Sequence, residues 1–324
     1  MIRGEAVHER WRMNEPFVIA GHRYDFADIV LATVTDGVSV GRGESVPTAY
    51  YGETVDSVLA QAEAMLAALT IAPWKDLHDS FPPGAARNAV DCAVWDLRAK
   101  QAETSVWQLA GLAAPVAVET AMTISIGEPA AMAARAARCG HALIKLKLGE
   151  GDDLARVEAV RAAVPAARLV VDANQAWSLE TLTRLMPDLA RLGVAMIEQP
   201  LPPEQDAALA TIPHPVPICA DESAHVAADL DRLVGRFDMV NLKLDKTGGL
   251  TEAIRFAARA EALGLGLMVG CMEGTSLGMA PALLLAGSAP VVDLDGPLLI
   301  GSDRAHGLVY RDGIVEPPVP ELWG

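Results

Sequence analysis

Two lysines in an otherwise apolar run, ALIKLKL at residues 142–148, constrain this chain more than any other feature. Side chains alternate across a β-strand, so Lys145 and Lys147 point to the same side. Parallel strands in α/β proteins are covered on both faces and are usually continuous Val, Ile and Leu, so two buried cations carry a desolvation cost. The pattern predicts a strand with one face toward anionic groups. The alternative is an exposed edge strand with solvated lysines.

Composition limits the class of protein and its partners. The chain has 324 residues, of which 51% are hydrophobic, enough for one large barrel or two domains. Its formal charge of −16 argues against nucleic acid or an anionic membrane as a partner. The first residues lack the apolar core of a signal peptide, and no long uncharged run suggests a membrane span. The cysteines are scattered without a close pair, which predicts reduced thiols and a cytoplasmic location. They are Cys92, Cys139, Cys219 and Cys271.

The chain divides into three predicted segments. Residues 1–115 contain apolar runs at 17–20, 28–35 and 38–44, with a hairpin turn at Asp36-Gly37, and then helical periodicity at 54–69 and 85–100. They are predicted to form an α+β domain. Residues 116–300 alternate short β-rich and Ala/Leu-rich helical runs, which predicts a β/α barrel. Residues 301–324 are a polar, Pro-rich tail expected to pack on the first domain. The barrel strands are predicted at 118–126, 142–148, 169–173, 194–198, 217–221, 239–244, 266–270 and 291–294, with helices such as 151–163, 179–192 and 250–263.

Three carboxylates end three successive predicted strands: Asp172, Glu198 and Asp221. Active residues of β/α barrels lie at the C-terminal ends of strands, and neighbouring strands are only about 4.8 Å apart. Oxygen ligands without His or Cys favour a hard cation, and open coordination positions favour Mg²⁺. A single acid at a strand end is usually a helix cap or an ion-pair partner, but three in one register predict a metal site.

A third lysine, Lys243 in NLKLDK, ends the sixth predicted strand. In a closed barrel of eight strands this strand lies opposite the second, so Lys147 and Lys243 are expected to face each other across the mouth. Removal of a proton beside a carboxylate needs cations to stabilise the developing charge. A lysine can be the base if burial and cationic neighbours such as Lys145 and Mg²⁺ lower its pKa. Two bases on opposite faces predict epimerisation or racemisation.

Two acids, Asp293 and Asp295 in DLDGP, end the eighth predicted strand and share one face. No further ligands accompany them, so a second metal site is not expected. A substrate cation such as an α-ammonium group is the more natural partner. The alternative is a structural turn before Gly296-Pro297.

Taken together, these motifs identify a family. IKLKL, VDANQAW, IEQPL, ICADES and NLKLDKTGG resemble the muconate-lactonizing subgroup of the enolase superfamily, whose sites combine a lysine or histidine base with Mg²⁺. DLDGP resembles the Asp-x-Asp motif of dipeptide epimerases. PFVIAG, YYGET, GAARNAVDCAVWDL, GVAMIEQPLP, MVNLKLDKTGGLTEA and GCM extend the similarity to L-Ala-D/L-Glu epimerases over nearly the whole chain. The resemblance implies a modified TIM barrel, (β/α)7β, with an N-terminal α+β capping domain.

The same resemblance implies a function and a role for each motif residue. The activity is a Mg²⁺-dependent epimerisation at the α-carbon of the C-terminal residue of a dipeptide, with L-Ala-D/L-Glu from murein peptides as the leading substrate and one Mg²⁺ per subunit. The implied metal ligands are Asp172, Glu198 and Asp221, supported by Asn174 and Glu222. The implied acid/base pair is Lys147 and Lys243, and the implied role of Lys145 is to stabilise the substrate carboxylate. The ammonium group is expected to bind Asp293 and Asp295.

Two features depart from the pattern of that family. The loop at 18–25, expected to close over the substrate, offers His22 and Arg23, of which Arg23 is a candidate partner for the substrate side chain. Glu273 stands at the end of the seventh strand, where an uncharged residue is expected. In the pocket it would repel a glutamyl side chain and favour a neutral or cationic one. The alternative is that Glu273 caps the following helix at Thr275 or Ser276.

Several other functions are less consistent with the sequence. N-acylamino acid racemases, o-succinylbenzoate synthases and muconate cycloisomerases share the bases and metal ligands, but their substrates have no ammonium group for paired acids. A metal-dependent hydrolase generally needs His ligands, and no histidine accompanies a carboxylate at a strand end. A non-catalytic binding protein has no use for opposed bases. Gly248-Gly249 is a weak candidate for a phosphate cradle. Large barrel enzymes are often homo-oligomers, although no pattern here identifies an interface.

Overall fold

A computed structural model describes residues 2–19, 22–149 and 151–324. The N-terminal domain has an antiparallel sheet of order β1-β2-β3. Its strands are β1 (Arg3–Ile19), β2 (His22–Thr35) and β3 (Val40–Ser45). Its helices are α1 (Val55–Ala68), α2 (Trp74–Leu77), α3 (Ala85–Gln101) and α4 (Val106–Leu109), with 3₁₀ turns at Ala49–Tyr51 and His78–Ser80.

The predicted hairpin at Asp36-Gly37 is confirmed. The Asp36 side chain accepts hydrogen bonds from the N–H groups of Val38 and Ser39, at 2.9 and 2.8 Å, and Gly37 has φ of +99°. β1 is much longer than the run predicted at 17–20. It pairs with β2 along nearly its whole length, and its polar, largely exposed residues give no apolar signal.

Helix α3 packs directly on β3. A Cβ at Gly41 or Gly43 would lie 2.1 Å from a carbonyl oxygen of α3, so only glycine allows this approach. The helix is Ala-rich and almost entirely buried, because the sheet covers one side and the barrel covers the other. The capping domain is thereby fixed on the barrel.

The barrel has eight parallel strands and seven helical connections among the described residues, which confirms (β/α)7β. The strands are β5 (Met122–Ile124), β6 (Leu143–Lys147), β7 (Arg168–Asp172), β8 (Val194–Glu198), β9 (Ile218–Ala220), β10 (Met239–Leu242), β11 (Gly266–Gly270) and β12 (Val291–Asp293). The connections are α5 (Pro129–Cys139), α6 (Asp153–Ala163), α7 (Leu179–Arg191), 3₁₀ segments Pro203–Thr211 and Ala227–Leu233, α9 (Leu250–Leu263, preceded by the short α8, Leu244–Thr247) and α10 (Ser276–Ala286). A short α11 (Gly296–Leu299) follows β12.

The first predicted barrel strand, 118–126, is wrong as a single element. Its beginning forms β4 (Val118–Glu119), which pairs outside the barrel, and only β5 enters the barrel. The residues between them face the last strand instead. Ala121 N donates to Val292 O at 2.8 Å, and Thr120 Oγ1 accepts from Leu294 N at 2.9 Å. These bonds close the barrel between β5 and β12.

An apolar layer fills the bottom of the barrel, and polar side chains fill the layers above it. The floor takes one residue from each strand or its start: Ala121, Leu143, Val170, Met196, Cys219, Met239, Met268 and Val291. Two residues further along each strand, alternation returns the side chain to the interior. Lys145 and Lys147 are therefore interior residues, 2% and 6% exposed, and the alternative of an exposed edge strand is wrong.

The C-terminal tail contacts both parts of the molecule. β13 (Tyr310–Arg311) and β14 (Ile314–Val315) form a small antiparallel sheet with β4. The last residues then reach α3, where Trp323 Nε1 donates to Cys92 O at 3.1 Å and Gly324 N donates to Asp96 at 2.8 Å. Within the described ranges, no helix combines the length and apolar character required to cross a bilayer.

Candidate active site

A cavity of about 640 Å³ opens at the C-terminal ends of the barrel strands. The capping domain covers it with the segment 46–51 after β3, with Phe17 of β1 and with Tyr24 and residues 26–28 of β2. Its wall carries Lys147 and Lys243 from two separated strands, and Asp293 and Asp295 from the end of the barrel sheet. The aromatic residues that enclose it are Phe17, Tyr24, Phe26, Tyr50 and Tyr51.

Lys145 lies at the centre of the polar layer. Its Nζ is 2.7 Å from Glu198 Oε2, 2.9 Å from Asp293 Oδ2 and 3.2 Å from Asp172 Oδ2. Burial lowers the pKa of Lys145, but these three carboxylates outweigh burial and hold it well above its ordinary value. Lys145 is therefore a fixed positive charge beneath the cavity.

Lys147 and Lys243 line the cavity from β6 and from the end of β10, which lie four strands apart in the order of the eight-stranded sheet. Lys147 Nζ is 2.7 Å from Asp172 Oδ2, and Lys243 Nζ is 2.8 Å from Asp221 Oδ2. Burial lowers the pKa of Lys243, yet the Asp221 carboxylate outweighs it and the pKa lies well above its ordinary value. For Lys243, the lowered pKa expected from the sequence is therefore not seen.

The three strand-end carboxylates share one pattern: the protein backbone or a scaffold side chain binds one oxygen, and the other oxygen faces a lysine of the cavity. Asp172 Oδ1 accepts from Asn174 N at 2.9 Å, Glu198 Oε1 from Asn241 Nδ2 at 2.7 Å, and Asp221 Oδ1 from Lys246 Nζ at 2.6 Å. The remaining oxygens are those that contact Lys145, Lys147 and Lys243. Each carboxylate therefore offers one oxygen toward the cavity.

These oxygens suit a hard cation, although they do not converge on one point. Among residues 2–19, 22–149 and 151–324, no three His, Cys, Asp or Glu side chains stand close enough to hold a metal ion, since each free oxygen turns to an ammonium group. Glu198 Oε2 forms an ion pair with Lys145 Nζ at 2.7 Å without the geometry of a hydrogen bond, so this buried oxygen is held by charge alone. The chemistry of Asp172, Glu198 and Asp221, three carboxylates without His or Cys, suits Mg²⁺. Their role as its ligands stays a prediction.

Asn174 and Glu222 lie together beside this cluster. Asn174 Nδ2 is 3.5 Å from Glu222 Oε1, and Asn174 Oδ1 accepts from Lys147 Nζ at 3.1 Å. Burial and repulsion by Asp221 raise the pKa of Glu222 to about 7. Asn174 has φ of +41°, an uncommon conformation for a non-glycine residue and one that often marks functional sites.

Asp293 at the end of β12 and Asp295 two residues beyond it both line the cavity, as predicted for the eighth strand, although Asp295 itself follows the strand. Asp293 Oδ2 contacts Lys145, and Asp295 Oδ2 accepts from Thr123 N at 2.7 Å. Asp295 precedes α11 but its side chain caps no N–H of that helix, which argues against a purely structural turn. Burial and the charge of Asp293 raise the pKa of Asp295 to about 7. A cation placed here would relieve that repulsion.

Glu273 lines the cavity and is not a helix cap. The N–H of Thr275 donates to Glu44 at 2.7 Å, and the N–H of Ser276 donates to Asp303 at 3.0 Å, so other acids occupy the positions that Glu273 would need. Its negative charge contributes, after burial, to the raised pKa of Tyr24 on the wall of the cavity. The predicted alternative of a capping role is therefore wrong.

The described residues of the predicted loop at 18–25 belong to β1 and β2, where Val18 pairs with Arg23 and Ile19 with His22. Arg23 forms an ion pair with Asp25 at 3.0 Å, its side chain is 63% exposed, and it does not line the cavity. Its role in binding the substrate side chain stays a prediction. Ala20, Gly21 and the side chain of His22 lie outside the described part of the chain.

Sequence reasoning missed three groups of site residues. Asn241 shares a strand face with Lys243, so alternation could have placed it in the interior. Lys246 lies beyond β10 in α8, where alternation no longer applies. Tyr50 and Tyr51 reach the barrel mouth from another domain; the Tyr50 hydroxyl donates to Gln175 at 2.7 Å, a contact between distant residues that no local pattern signals.

Comparisons with known proteins agree with this geometry. Residues 128–319 match the family described as enolase C-terminal domain-like, and residues 1–111 match the N-terminal domain of mandelate racemase / muconate lactonizing enzyme. The chain is 44% identical to the L-Ala-D/L-Glu epimerase of Escherichia coli (strain K12), covering 94% of this chain and 96% of that protein. It is 42% identical to an N-acetyl-D-glutamate racemase of Pseudoalteromonas sp., covering 91% and 95%.

Solved structures show the same relationship. An enolase family member from Agrobacterium tumefaciens with homology to dipeptide epimerases, with bound sodium and L-Ala-L-Glu, has a TM-score of 0.97 and 47% identity, with 100% of both chains covered. A dipeptide epimerase from Enterococcus faecalis, complexed with Mg and L-Leu-L-Tyr, has a TM-score of 0.90 and 30% identity, covering 98% of this chain and 97% of that one. Fold, site and sequence therefore agree: the chain belongs to the enolase superfamily, in the mandelate racemase / muconate lactonizing enzyme family.

Proposed function

We propose that this protein is a Mg²⁺-dependent dipeptide epimerase that inverts the α-carbon of the C-terminal residue, with L-Ala-D/L-Glu as the leading substrate. The observation that carries the proposal is the combination of two opposed lysines, Lys147 and Lys243, with a buried acid pair, Asp293 and Asp295, in one cavity. Opposed bases suit a two-face proton transfer, and the acid pair suits a free ammonium group. The relatives named for dipeptide epimerisation support this assignment.

In this proposal the two ends of the substrate are held by opposite charges. The α-ammonium group of the first residue binds Asp293 and Asp295. The carboxylate of the second residue lies toward Lys145, whose charge is fixed by its buried partners. The α-carbon of the second residue is thereby placed between Lys147 and Lys243, within a cavity that the capping domain covers.

The reaction then needs one proton transfer on each face. One lysine, as the free amine, takes the α-proton; the C–H bond breaks, an N–H bond forms, and the electron pair delocalises into the adjacent carboxylate. The lysine on the other face, as the ammonium, donates a proton to the α-carbon and returns to the amine. Lys145 stabilises the charge that develops on the carboxylate. Asp172, Glu198 and Asp221 would hold Mg²⁺, which would add further stabilisation of that charge as a Lewis acid.

A second candidate, racemisation of an N-acylated glutamate, is favoured by the relative from Pseudoalteromonas sp. at 42% identity. Such a substrate has no ammonium group, so it leaves the acid pair without a partner. The dipeptide is therefore the better match to the residues of β12. We further propose that the enzyme is cytoplasmic, since the cysteines of this chain form no disulfide. A role in cell-wall peptide metabolism is proposed from the leading substrate, L-Ala-D/L-Glu.

Proton NMR in deuterated water tests the proposal. With Mg²⁺ and L-Ala-L-Glu, the α-proton signal of the glutamate should disappear while the L,D diastereomer appears, and EDTA should abolish both changes. N-acetyl-L-glutamate is measured in parallel, and the oligomeric state is measured by light scattering on the same preparation. Exchange with N-acetyl-L-glutamate alone would replace the dipeptide by the second candidate. No exchange with either compound or with other dipeptides would refute the proposed reaction.

A further inference from the structure

We propose that Lys246 is a positioning residue that holds Asp221 in place for cation binding and leaves Lys243 free to act on the substrate. The inference rests on the proposed function for the identity of the cation site. Lys246 has no predicted role from the sequence and does not line the cavity. Its contacts nevertheless concentrate on one candidate ligand.

Lys246 is entirely enclosed and makes three short polar contacts. Its Nζ donates to Asp221 Oδ1 at 2.6 Å, to the main-chain oxygen of Asp221 at 2.6 Å and to the main-chain oxygen of Asn241 at 2.9 Å. The side chain is 0% exposed. An ammonium group has three protons, and all three are used. Lys246 thus ties the side chain and the backbone at the end of β9 to β10.

Asp221 is the only one of the three candidate ligands whose scaffold-bound oxygen accepts from a charged donor. The backbone of Asn174 binds Asp172, and the amide of Asn241 binds Glu198. The Asn241 side chain is itself packed against the backbone of β11, since a Cβ added at Gly270 would lie only 2.6 Å from Asn241 Oδ1. The residue that orients Glu198 and the residue that orients Asp221 are therefore linked through the Asn241 backbone.

The charged donor has a specific use at Asp221. Both of its oxygens face an ammonium group: Oδ1 faces Lys246, and Oδ2 faces Lys243 at 2.8 Å. In the proposed reaction, Lys243 must leave Asp221 to reach the α-carbon. Lys246 stays in place, because its other two bonds hold it to the main-chain oxygens of Asp221 and Asn241. It therefore keeps Asp221 oriented, and partly neutralised, when Lys243 turns to the substrate.

Two variants and a control test this role through cation binding, measured without substrate. Lys246→Met removes the charge and the hydrogen bonds, whereas Lys246→Gln keeps a donor for Asp221. Lys100→Met is the matched control, since Lys100 also donates to a buried carboxylate, Asp96 at 2.8 Å, and to a carbonyl, but in the capping domain. Isothermal titration with Mg²⁺ and the melting temperature are measured for each, and epimerisation of L-Ala-L-Glu is measured afterwards.

We expect Lys246→Met to weaken Mg²⁺ binding by roughly 10- to 100-fold, the usual effect of losing a group that orients a metal ligand. Lys246→Gln should bind Mg²⁺ with intermediate affinity, and Lys100→Met should bind it like the wild type even if it melts earlier. Variants of Lys246 that melt earlier but bind Mg²⁺ within twofold of the wild type would overturn the inference, as would failure of both to fold. A wild type that binds Mg²⁺ but epimerises no dipeptide would refute the proposed substrate and leave this test valid.

Discussion

The acid pair of β12 predicts a pH dependence that distinguishes a dipeptide from an N-acylated amino acid. Burial and repulsion by Asp293 raise the pKa of Asp295 to about 7 in the free protein. An ammonium group binds the ionised form better, so kcat/KM for L-Ala-L-Glu should fall as the pH drops through about 7. At pH 6 about a tenth of such a carboxyl group is ionised, which corresponds to a roughly tenfold decrease from the plateau. The substrate amine, with a pKa of about 8, gives the alkaline limb.

Asp295→Asn isolates this contribution. The amide oxygen can still accept from Thr123 N, the contact that Asp295 makes at 2.7 Å, so the local structure should be kept. Loss of a charge-assisted hydrogen bond to the ammonium group, worth about 1.5 to 3 kcal/mol, should lower kcat/KM by roughly 10- to 100-fold. The acid limb near pH 7 should disappear from the profile of the variant.

The assay is polarimetry or NMR of epimerisation between pH 5.5 and 9, with N-acetyl-L-glutamate as the comparison substrate. Any activity on the acetylated compound should lack both limbs, because it has no ammonium group to bind the acid pair. Identical acid limbs in the wild type and in Asp295→Asn would refute this reasoning, since the titrating group would then lie elsewhere.

Three further predictions concern separate residues. Lys147→Met and Lys243→Met should each reduce epimerisation by at least about 10²-fold. In deuterated water, each variant should still exchange the α-proton of one dipeptide diastereomer, and the diastereomer should differ between the two variants. Equal loss of exchange for both diastereomers would contradict opposed bases. Glu273→Leu should raise turnover of L-Ala-L-Glu relative to L-Ala-L-Lys, because it removes a like charge from the cavity, and an unchanged ratio would exclude that role. Asp245 is buried, and burial is the main cause that raises its pKa to about 7. The folded protein therefore binds this proton more tightly than the unfolded chain, so the free energy of unfolding falls as the pH rises from about 4 to about 7. Over that range, urea titrations should show the stability of Asp245→Asn rising relative to the wild type by up to about 4 kcal/mol, and a constant difference would refute the assignment.

Alternation along short strands explains why so much of the site could be predicted from the sequence. A residue at the end of a barrel strand and the residue two positions earlier share the interior face. Lys145, Lys147 and Asp293 could therefore be placed without a structure. The apolar floor beneath them follows from the same rule.

What the sequence did not predict depends on contacts between distant segments. The run at 118–126 contains no Gly or Pro that would mark a break, and only the pairing of its first residues with β14 divides it into β4 and β5. Lys246 follows the strand, so its direction depends on how α8 turns. The lysine pKa values depend on which carboxylates lie opposite, and in this structure Asp221 outweighs the burial of Lys243.

The attachment of the tail to α3 has a consequence for the order of folding during synthesis. Leu322 and Trp323 are buried, and Gly324 contributes both of its main-chain polar groups, donating to Asp96 and accepting from Val106 N at 3.0 Å. The ribosome makes α3 before the barrel, yet the part of α3 that residues 322–324 cover stays exposed until the barrel has been synthesised. We expect nascent chains halted before residue 320 to expose that surface to protease and chaperones, so the packing of α3 is completed only after the barrel strands have been made.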